Sequence, residues 1–183
     1  TVPQIGDAND DGVSGTVLIG TATSTSVTMR DQLYRFGSGN VTITADTTGT
    51  IFSTAGNSTV DLAGGAFKIT GAAKVSNGSL DINTAGGNIE ITGAVVGHDG
   101  DESLILDDNG SGSAVITLGG NIGADSGQAS NLASVTLVGT GGINLSGDIT
   151  TSTTAGGGVA ITGPVTLKGC LLYTSDAADD ANC

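Results

Sequence analysis

A short unit led by two glycines recurs along the chain and limits what it can fold into. The unit continues with an apolar residue, a spacer, a second apolar residue, Thr or Ser, and a further glycine. Copies begin at Gly64, Gly86, Gly141 and Gly157. A unit repeated along a sequence is typical of solenoids and arrays, in which each repeat is one supersecondary element. In such folds function usually depends on length, rigidity and surface.

The residues of the repeats favour short β-strands. Apolar residues alternate with Thr, Asp, Lys or Glu over four or five positions, as in 67–70, 103–106 and 134–137. This alternation is typical of a strand with one buried face. Aromatic residues make up only 3% of the chain, Trp is absent and 32 of 183 residues are Gly. Such a composition fits thin stacked layers of Val, Ile and Leu better than a bulky globular core.

The glycine inside the unit distinguishes two β architectures. In 91–95, Gly93 alone stands between two apolar runs. A hairpin needs at least two loop residues, so a single Gly predicts a corner that leads into a different sheet. We therefore predict an all-β fold, a parallel β-helix (β-solenoid) fragment in which Ile91 faces the core, with β-sandwich repeats as the alternative. Asn88 and Asn121 follow Gly-Gly alike, and they predict either a stacked amide ladder or left-handed turn residues.

The pattern divides the chain into three parts. Residues 1–40 are less regular and predict an irregular N-terminal segment or first coils, and 41–169 hold the β-helix repeats. In 170–183 the alternation stops, and the string from Cys170 to Asp179 resembles the translation of a transposase adaptor used in sequencing libraries. We therefore expect 170–183 to be a non-native tail, an artefact of library preparation. Both cysteines, Cys170 and Cys183, lie in it, so the repeats offer no disulfide and no thiolate ligand.

The charge of the chain argues against several partners. The formal net charge is −13, which repels nucleic-acid phosphates and anionic lipid surfaces. No apolar run approaches the roughly 20 residues of a membrane span. We expect neither nucleic-acid binding nor a transmembrane segment. The chain starts at Thr1 without a signal-like segment, which we interpret as the start of an internal fragment.

Two acidic stretches are candidate cation sites. Asp7, Asn9 and Asp11 stand at alternate positions before Gly12, as in the first half of a calcium loop, but Leu18 stands where an EF-hand needs Glu. These three residues are the predicted metal ligands, with Ca²⁺ as the possible ion and no other cofactor expected. The second stretch contains His98, Asp99, Asp101 and Glu102 before a strand, and Asp107, Asp108 and Asn109 after it.

Catalytic motifs are absent from the sequence. There is no P-loop, nucleophile elbow, zinc-protease motif or dinucleotide fingerprint. His98 lacks a Ser or Cys partner pattern, and Asp101 and Glu102 are adjacent, so in an extended strand they point to opposite faces. We therefore predict that the chain is not an enzyme. The less favoured alternative is a β-helix enzyme acting on polysaccharide.

Residues 114–168 resemble the repetitive rod of large filamentous-haemagglutinin-like adhesins of Gram-negative bacteria. The resemblance rests on stretches such as 114–123, 132–137, 147–151 and 161–167, and 64–96 is similar more weakly. It implies a right-handed parallel β-helix, export through an outer-membrane transporter and display at the cell surface, or secretion. It also implies contact with a host-cell protein or glycan through other parts of the full-length protein. The irregular spacing of the repeats departs from a strict solenoid.

The expected function is therefore that of a structural rod segment of a secreted or surface-displayed bacterial adhesin, mediating cell adhesion. Two other classes stay open. One is a calcium-stabilised repeat of a surface or secreted protein, which calcium-dependent melting would reveal. The other is the polysaccharide-degrading enzyme, which would show glycan cleavage.

Overall fold

The computed structural model of the chain describes residues 15–21, 27–44, 52–110, 112–123, 131–152, 158–168 and 173–174. Within these ranges every regular element of secondary structure is a β-strand. The strands stack in parallel as a β-solenoid of about five turns. The structure therefore confirms the all-β parallel β-solenoid over the β-sandwich alternative. The predicted ligands Asp7, Asn9 and Asp11 lie outside the described residues.

The described strands are short, apart from two long ones near the N-terminal end. In chain order they are β1 (Val17–Ile19), β2 (Val27–Phe36), β3 (Val41–Thr44), β4 (Phe52–Leu62), β5 (Phe67–Thr70), β6 (Ala73–Lys74), β7 (Ser79–Asn83), β8 (Ile89–Ile91), β9 (Val95–Val96), β10 (Ser103–Asp107), β11 (Ile116–Leu118), β12 (Ser134–Val138), β13 (Ile143–Leu145), β14 (Ile149–Thr150), β15 (Gly158–Thr162), β16 (Val165–Leu167) and β17 (Tyr173–Thr174).

Each coil of the solenoid has three faces. Face 1 is a seven-stranded parallel sheet in the order β1-β3-β5-β8-β11-β13-β16. Face 2 runs from the first halves of β2 and β4 through β6 and β9 to Ile122, β14 and β17. Face 3 stacks the second halves of β2 and β4 with β7, β10, β12 and β15. One coil takes between 22 residues, from Phe67 to Ile89, and 31 residues, from Ser103 to Ser134.

The core is built from columns of apolar side chains in matching register. On face 1 the first column contains Val41, Phe67, Ile89, Ile116 and Ile143, each at most 1% exposed. In the inner strands of faces 1 and 3, such as β7, β8, β10 and β12, buried and part-exposed positions alternate, so each of these strands contributes two residues to the columns. Ile91, predicted to face the core, is fully buried. Burying side chains of this size stabilises the fold by about 1.5–3 kcal/mol each.

Glycine at the corner between faces 1 and 2 permits the close approach of successive coils. The Gly93 N–H donates to the Gly71 carbonyl in the coil before it, at 2.9 Å. A Cβ on Gly93 would lie 2.5 Å from the Gly71 carbonyl carbon and 2.6 Å from the Ala72 nitrogen. Gly120 and Gly147 continue this glycine column in the next coils with the same crowding. The predicted corner at Gly93 is confirmed, because β8 lies on face 1 and β9 on face 2.

The two asparagines that looked equivalent in the sequence lie at different corners. Asn88 precedes a face 1 strand, whereas Asn121 precedes Ile122 on face 2. Each side-chain oxygen accepts a hydrogen bond from a main-chain N–H of the next coil, Val115 for Asn88 at 2.8 Å and Asp148 for Asn121 at 3.1 Å. Neither residue has positive φ. Both predicted roles, the shared amide ladder and the left-handed turn, are therefore wrong, and the side chains instead join neighbouring coils.

The fourth glycine-led unit also has a different place from the first three. Gly64, Gly86 and Gly141 each precede a face 1 strand, but Gly158 starts β15 on face 3. The sequence unit thus marks a corner followed by a strand, and not one fixed position in the coil. This explains the irregular spacing of the repeats.

Strands near both ends of the described chain belong to the same faces. β1 pairs with β3 on face 1, and β2 pairs with β4. β17 pairs with β14 on face 2. The described residues contain no helical segment with the length and hydropathy of a membrane span.

The glycine column leads to a direct test by substitution. Gly93→Ala should lower the free energy of unfolding by about 1–3 kcal/mol, because its Cβ overpacks against main-chain atoms that cannot move aside. Gly158→Ala is the matched control, since a Cβ there meets nothing within 4 Å. Chemical denaturation monitored by circular dichroism measures both. Equal stability of Gly93→Ala and Gly158→Ala would contradict the proposed role of the column.

Candidate functional site

The loop between β9 and β10 brings together the titratable side chains of the second acidic stretch. The His98 Nδ1 atom lies 2.9 Å from the Asp99 carboxylate, and both side chains are about half exposed. Glu102 closes the loop and is fully buried. One ligand atom from each of His98, Asp99 and Glu102 lies within 4.8 Å of the others. Among the described residues, this is the group whose donor atoms could hold a cation.

Glu102 already holds the loop together through the main chain. Its two carboxylate oxygens accept the N–H of Asp99 at 2.8 Å and of Gly100 at 2.9 Å. The Gly100 carbonyl in turn accepts the Ser152 hydroxyl at 2.8 Å, from two coils further along the stack. The Glu102 carboxylate therefore has a structural role, and a cation would share oxygens that are already hydrogen-bonded.

Two opposing effects set the pKa of Glu102. Burial raises the pKa of this carboxyl group. Hydrogen bonds from the main chain of Asp99, Gly100 and nearby loop residues lower it by more than burial raises it, so the net pKa lies below the ordinary value of 4.5. The charged carboxylate is consequently the form that the fold prefers. The stability that it contributes is present above pH 4.5 and is lost as the pH falls through the lowered folded-state pKa.

Asp108 is the counterpart of Glu102 at the other end of β10. Its carboxylate is fully buried and accepts the Thr140 N–H at 2.7 Å and the Thr140 hydroxyl at 2.8 Å. These bonds join one coil to the next at the corner between faces 3 and 1. Asp107 instead caps its own turn by accepting the Asn109 N–H at 2.7 Å. As predicted, the two halves of the acidic stretch lie at opposite ends of a strand and do not form one site.

A row of carboxylates lies on the outer surface of face 3. Asp61 and Asp107 flank Asn83 in register on neighbouring strands, and Asp81 is two residues back along β7. Partial burial raises the pKa of the Asp81 carboxyl group, and the charges of Asp61 and Asp107 raise it further. A raised pKa means that the fold prefers the neutral Asp81 carboxyl group. The stability that this preference contributes is complete below the ordinary pKa of 3.8 and is lost as the pH rises through the raised pKa. Face 3 therefore carries like charges that repel each other at neutral pH.

The outer surface of face 1 is different in character. Lys68 and Glu90 are register partners on β5 and β8, and their charged groups lie 2.8 Å apart. They border a shallow groove of 230 Å³ that also includes Asn40, Thr42 and Asn88. Its polar groups can form hydrogen bonds, but its one carboxylate is paired with a lysine. Hydrolysis of a glycosidic bond usually needs a pair of carboxyl groups placed across it.

Strand alternation would have predicted the buried carboxylates. Leu104 and Leu106 face the core, so Glu102 and Asp108 have the same parity along the strand. Asp101 and Glu102 point to opposite faces, as predicted, since Asp101 is exposed and Glu102 is buried. The prediction did not include which of the two faces inward, nor that the inward carboxylate binds its own loop.

Comparisons with known proteins identify no relative of this chain. No family model, no curated protein and no solved structure matches it.

The role of Glu102 can be tested by changing its charge alone. Glu102→Gln places an amide N–H₂ group against main-chain donors, so we expect a loss of about 1–3 kcal/mol in the free energy of unfolding at pH 7. The difference from the parent should shrink as the pH falls below 4.5, because the parent carboxylate also becomes neutral. Urea unfolding at pH 7 and at acidic pH measures this. The exposed neighbour provides the control, Asp101→Asn, which should change little at either pH.

Proposed function

We propose that this chain is a segment of the rod of a surface-displayed bacterial adhesin, mediating cell adhesion by holding a binding region away from the cell. The observation that carries the proposal is the in-register stack of coils, in which each coil contacts its neighbours and repeats the same columns. Such a stack adds length coil by coil without changing its cross-section. The resemblance of residues 114–168 to filamentous-haemagglutinin-like rods supplies the adhesin class.

The rest of the proposal follows from that class. The full-length protein is exported by an outer-membrane transporter of a Gram-negative bacterium, and is then displayed or secreted. Its other parts contact a host-cell protein or glycan. The segment itself needs no cofactor and binds no nucleic acid, consistent with its net charge of −13.

A rod should tolerate the deletion of one whole coil, but not a substitution that disrupts the core of a coil. Residues 89–115 make up one coil, because Ile89 and Ile116 are register partners, and deleting them joins Asn88 to Ile116 in the same register. In the full-length gene of the source bacterium, we expect this deletion to preserve adhesion to host cells. Ile91→Asp keeps the length but buries an unpaired charge, and should abolish adhesion.

Surface labelling and a bacterial adhesion assay measure both variants against the parent. Loss of adhesion in the coil deletion, with normal surface display, would show that this segment carries specific binding and would overturn the rod proposal. Retention in Ile91→Asp would show that the stack is dispensable. Sequencing the flanking DNA tests the class independently: more repeats and a transporter gene support it, and an in-frame catalytic domain contradicts it.

The carboxylates of Asp99 and Glu102, with oxygens within 4.8 Å of each other, are ligands of the kind that calcium takes, and they support a second candidate, a calcium-stabilised repeat. If calcium binds the folded loop, it raises the melting temperature by mass action, and EDTA reverses the effect. We expect Asp99→Asn to remove that rise if the loop is the binding site, while leaving Glu102 and its main-chain bonds in place. Equal melting temperatures in calcium and in EDTA would exclude this candidate.

A further inference from the structure

Two Asn-Gly pairs lie at exposed corners of the solenoid. Asn77 and Gly78 lie between β6 on face 2 and β7 on face 3, and Asn109 and Gly110 follow β10 on face 3. Both asparagine side chains are exposed. Both asparagines have positive φ, 57° for Asn77 and 32° for Asn109. Asparagine tolerates this backbone region better than most residues, which accounts for its place in both turns.

Close packing between coils requires the glycine of each pair. A Cβ on Gly78 would lie 2.5 Å from the Asn57 Oδ1 atom and 2.9 Å from the Asn57 main-chain nitrogen. A Cβ on Gly110 would overlap the Gly86 Cα atom. Any larger residue would therefore have to displace the neighbouring coil, so the stack itself places glycine directly after asparagine.

The Asn-Gly order is chemically reactive. A main-chain nitrogen can attack the carboxamide carbon of the asparagine before it, and glycine has no side chain to hinder the attack. The glycine N–H loses its proton, the nitrogen bonds to the asparagine Cγ atom, and the Cγ–Nδ2 bond breaks to release ammonia. Water then opens the resulting succinimide ring at either carbonyl, which yields aspartate or isoaspartate.

The fold leaves both reacting groups of these two pairs without hydrogen bonds. Among the described residues, no atom accepts a hydrogen bond from the Gly78 or the Gly110 N–H. Nor does any described residue bond to the side-chain amide of Asn77 or Asn109. Each amide can therefore rotate toward the following nitrogen, and that nitrogen can lose its proton without breaking a hydrogen bond.

Other asparagines of the stack are held in place. In five of them the side-chain oxygen accepts a main-chain N–H at 2.8 to 3.1 Å, and none of the five is followed by glycine: Asn40, Asn57, Asn83, Asn88 and Asn121. Rotation of any of these amides toward the following nitrogen would break a bond that joins two coils or closes a turn.

An Asp-Gly pair elsewhere shows the opposite arrangement. Asp99 and Gly100 could form the same succinimide with loss of water, but the Gly100 N–H donates to the buried Glu102 carboxylate at 2.9 Å. The attacking nitrogen is thus bonded in this pair, whereas it is unbonded in the two Asn-Gly pairs.

We propose that Asn77 and Asn109 are sites of spontaneous deamidation in the folded chain, at which the solenoid converts itself into aspartate and isoaspartate forms. Each conversion adds one negative charge to a corner, and isoaspartate also adds a methylene group to the main chain of that corner. Asn109 follows Asp107 and Asp108, so the new charge there extends an acidic run. This inference is independent of the adhesin proposal, because it requires only the folded chain and water.

Ageing of the purified chain tests the assignment. After incubation at mildly alkaline pH, mass spectrometry of Asp-N peptides detects the exchange of NH₂ for OH and separates aspartate from isoaspartate. Asn83 and Asn88 should convert about tenfold more slowly than Asn77 and Asn109, since they lack the glycine and must first break a hydrogen bond. Equal rates at all four asparagines would overturn the proposal.

The unfolded chain separates the effect of the fold from that of the sequence. In urea, Asp99 should form isoaspartate several times faster than in the folded chain, because unfolding releases the Gly100 N–H. Conversion of Asn77 and Asn109 should change much less, since their reacting groups are already unbonded in the fold. Conversion of these two asparagines in urea alone would contradict the proposal.

A double variant, Asn77→Ala with Asn109→Ala, is the matched control. Ala85 already stands at positive φ before Gly86, so alanine is compatible with such a corner and the variant should fold like the parent. On ion-exchange chromatography the aged parent should give new, more acidic species that the aged variant lacks. If the variant gives those species in the same amount, the two assigned sites are wrong.

Discussion

The main-chain hydrogen bond from one coil to the next is the interaction on which the rest of this structure depends. It fixes the distance between coils at about 4.8 Å, the spacing of neighbouring strands in any sheet. At that distance only glycine fits where the chain turns sharply against the coil below, as at Gly93. The same distance places identical or similar apolar residues directly above one another, which accounts for the columns of Val, Ile and Leu and for the scarcity of aromatic residues.

That spacing also determines the electrostatics of the surface. Side chains on neighbouring strands meet in register, so a charge acts most strongly on its partner in the next coil. Lys68 and Glu90 form an attractive pair on face 1, whereas Asp61, Asp81 and Asp107 repel each other on face 3. Inside, Glu102 and Asp108 avoid an unpaired buried charge because main-chain donors and Thr140 supply their hydrogen bonds. The charge pattern thus follows from which residues the stacking brings together.

Local patterns in the sequence predicted the local features of the fold. A single glycine between two apolar runs predicted the corner at Gly93, and strand alternation predicted that Ile91 is buried. Features that depend on how coils align could not be predicted, because coil length varies from 22 to 31 residues. For that reason Asn88 and Asn121, alike in sequence, lie at different corners. The candidate cation loop was recognised as an acidic stretch, but its closure around Glu102 depends on hydrogen bonds that no residue pattern specifies.

The variation in coil length has a consequence for how such a chain changes over generations. The extra residues of the longer coils leave the strands in register, as the pairing of Ile89 with Ile116 and of Ile116 with Ile143 shows. Recombination between repeats at the DNA level can therefore exchange or delete whole coils and leave a foldable product whenever the crossover joins equivalent ladder positions. Loops such as 97–102 can diverge in the meantime, so that a lineage of these proteins can alter its outer surface rapidly while its interior stays nearly constant.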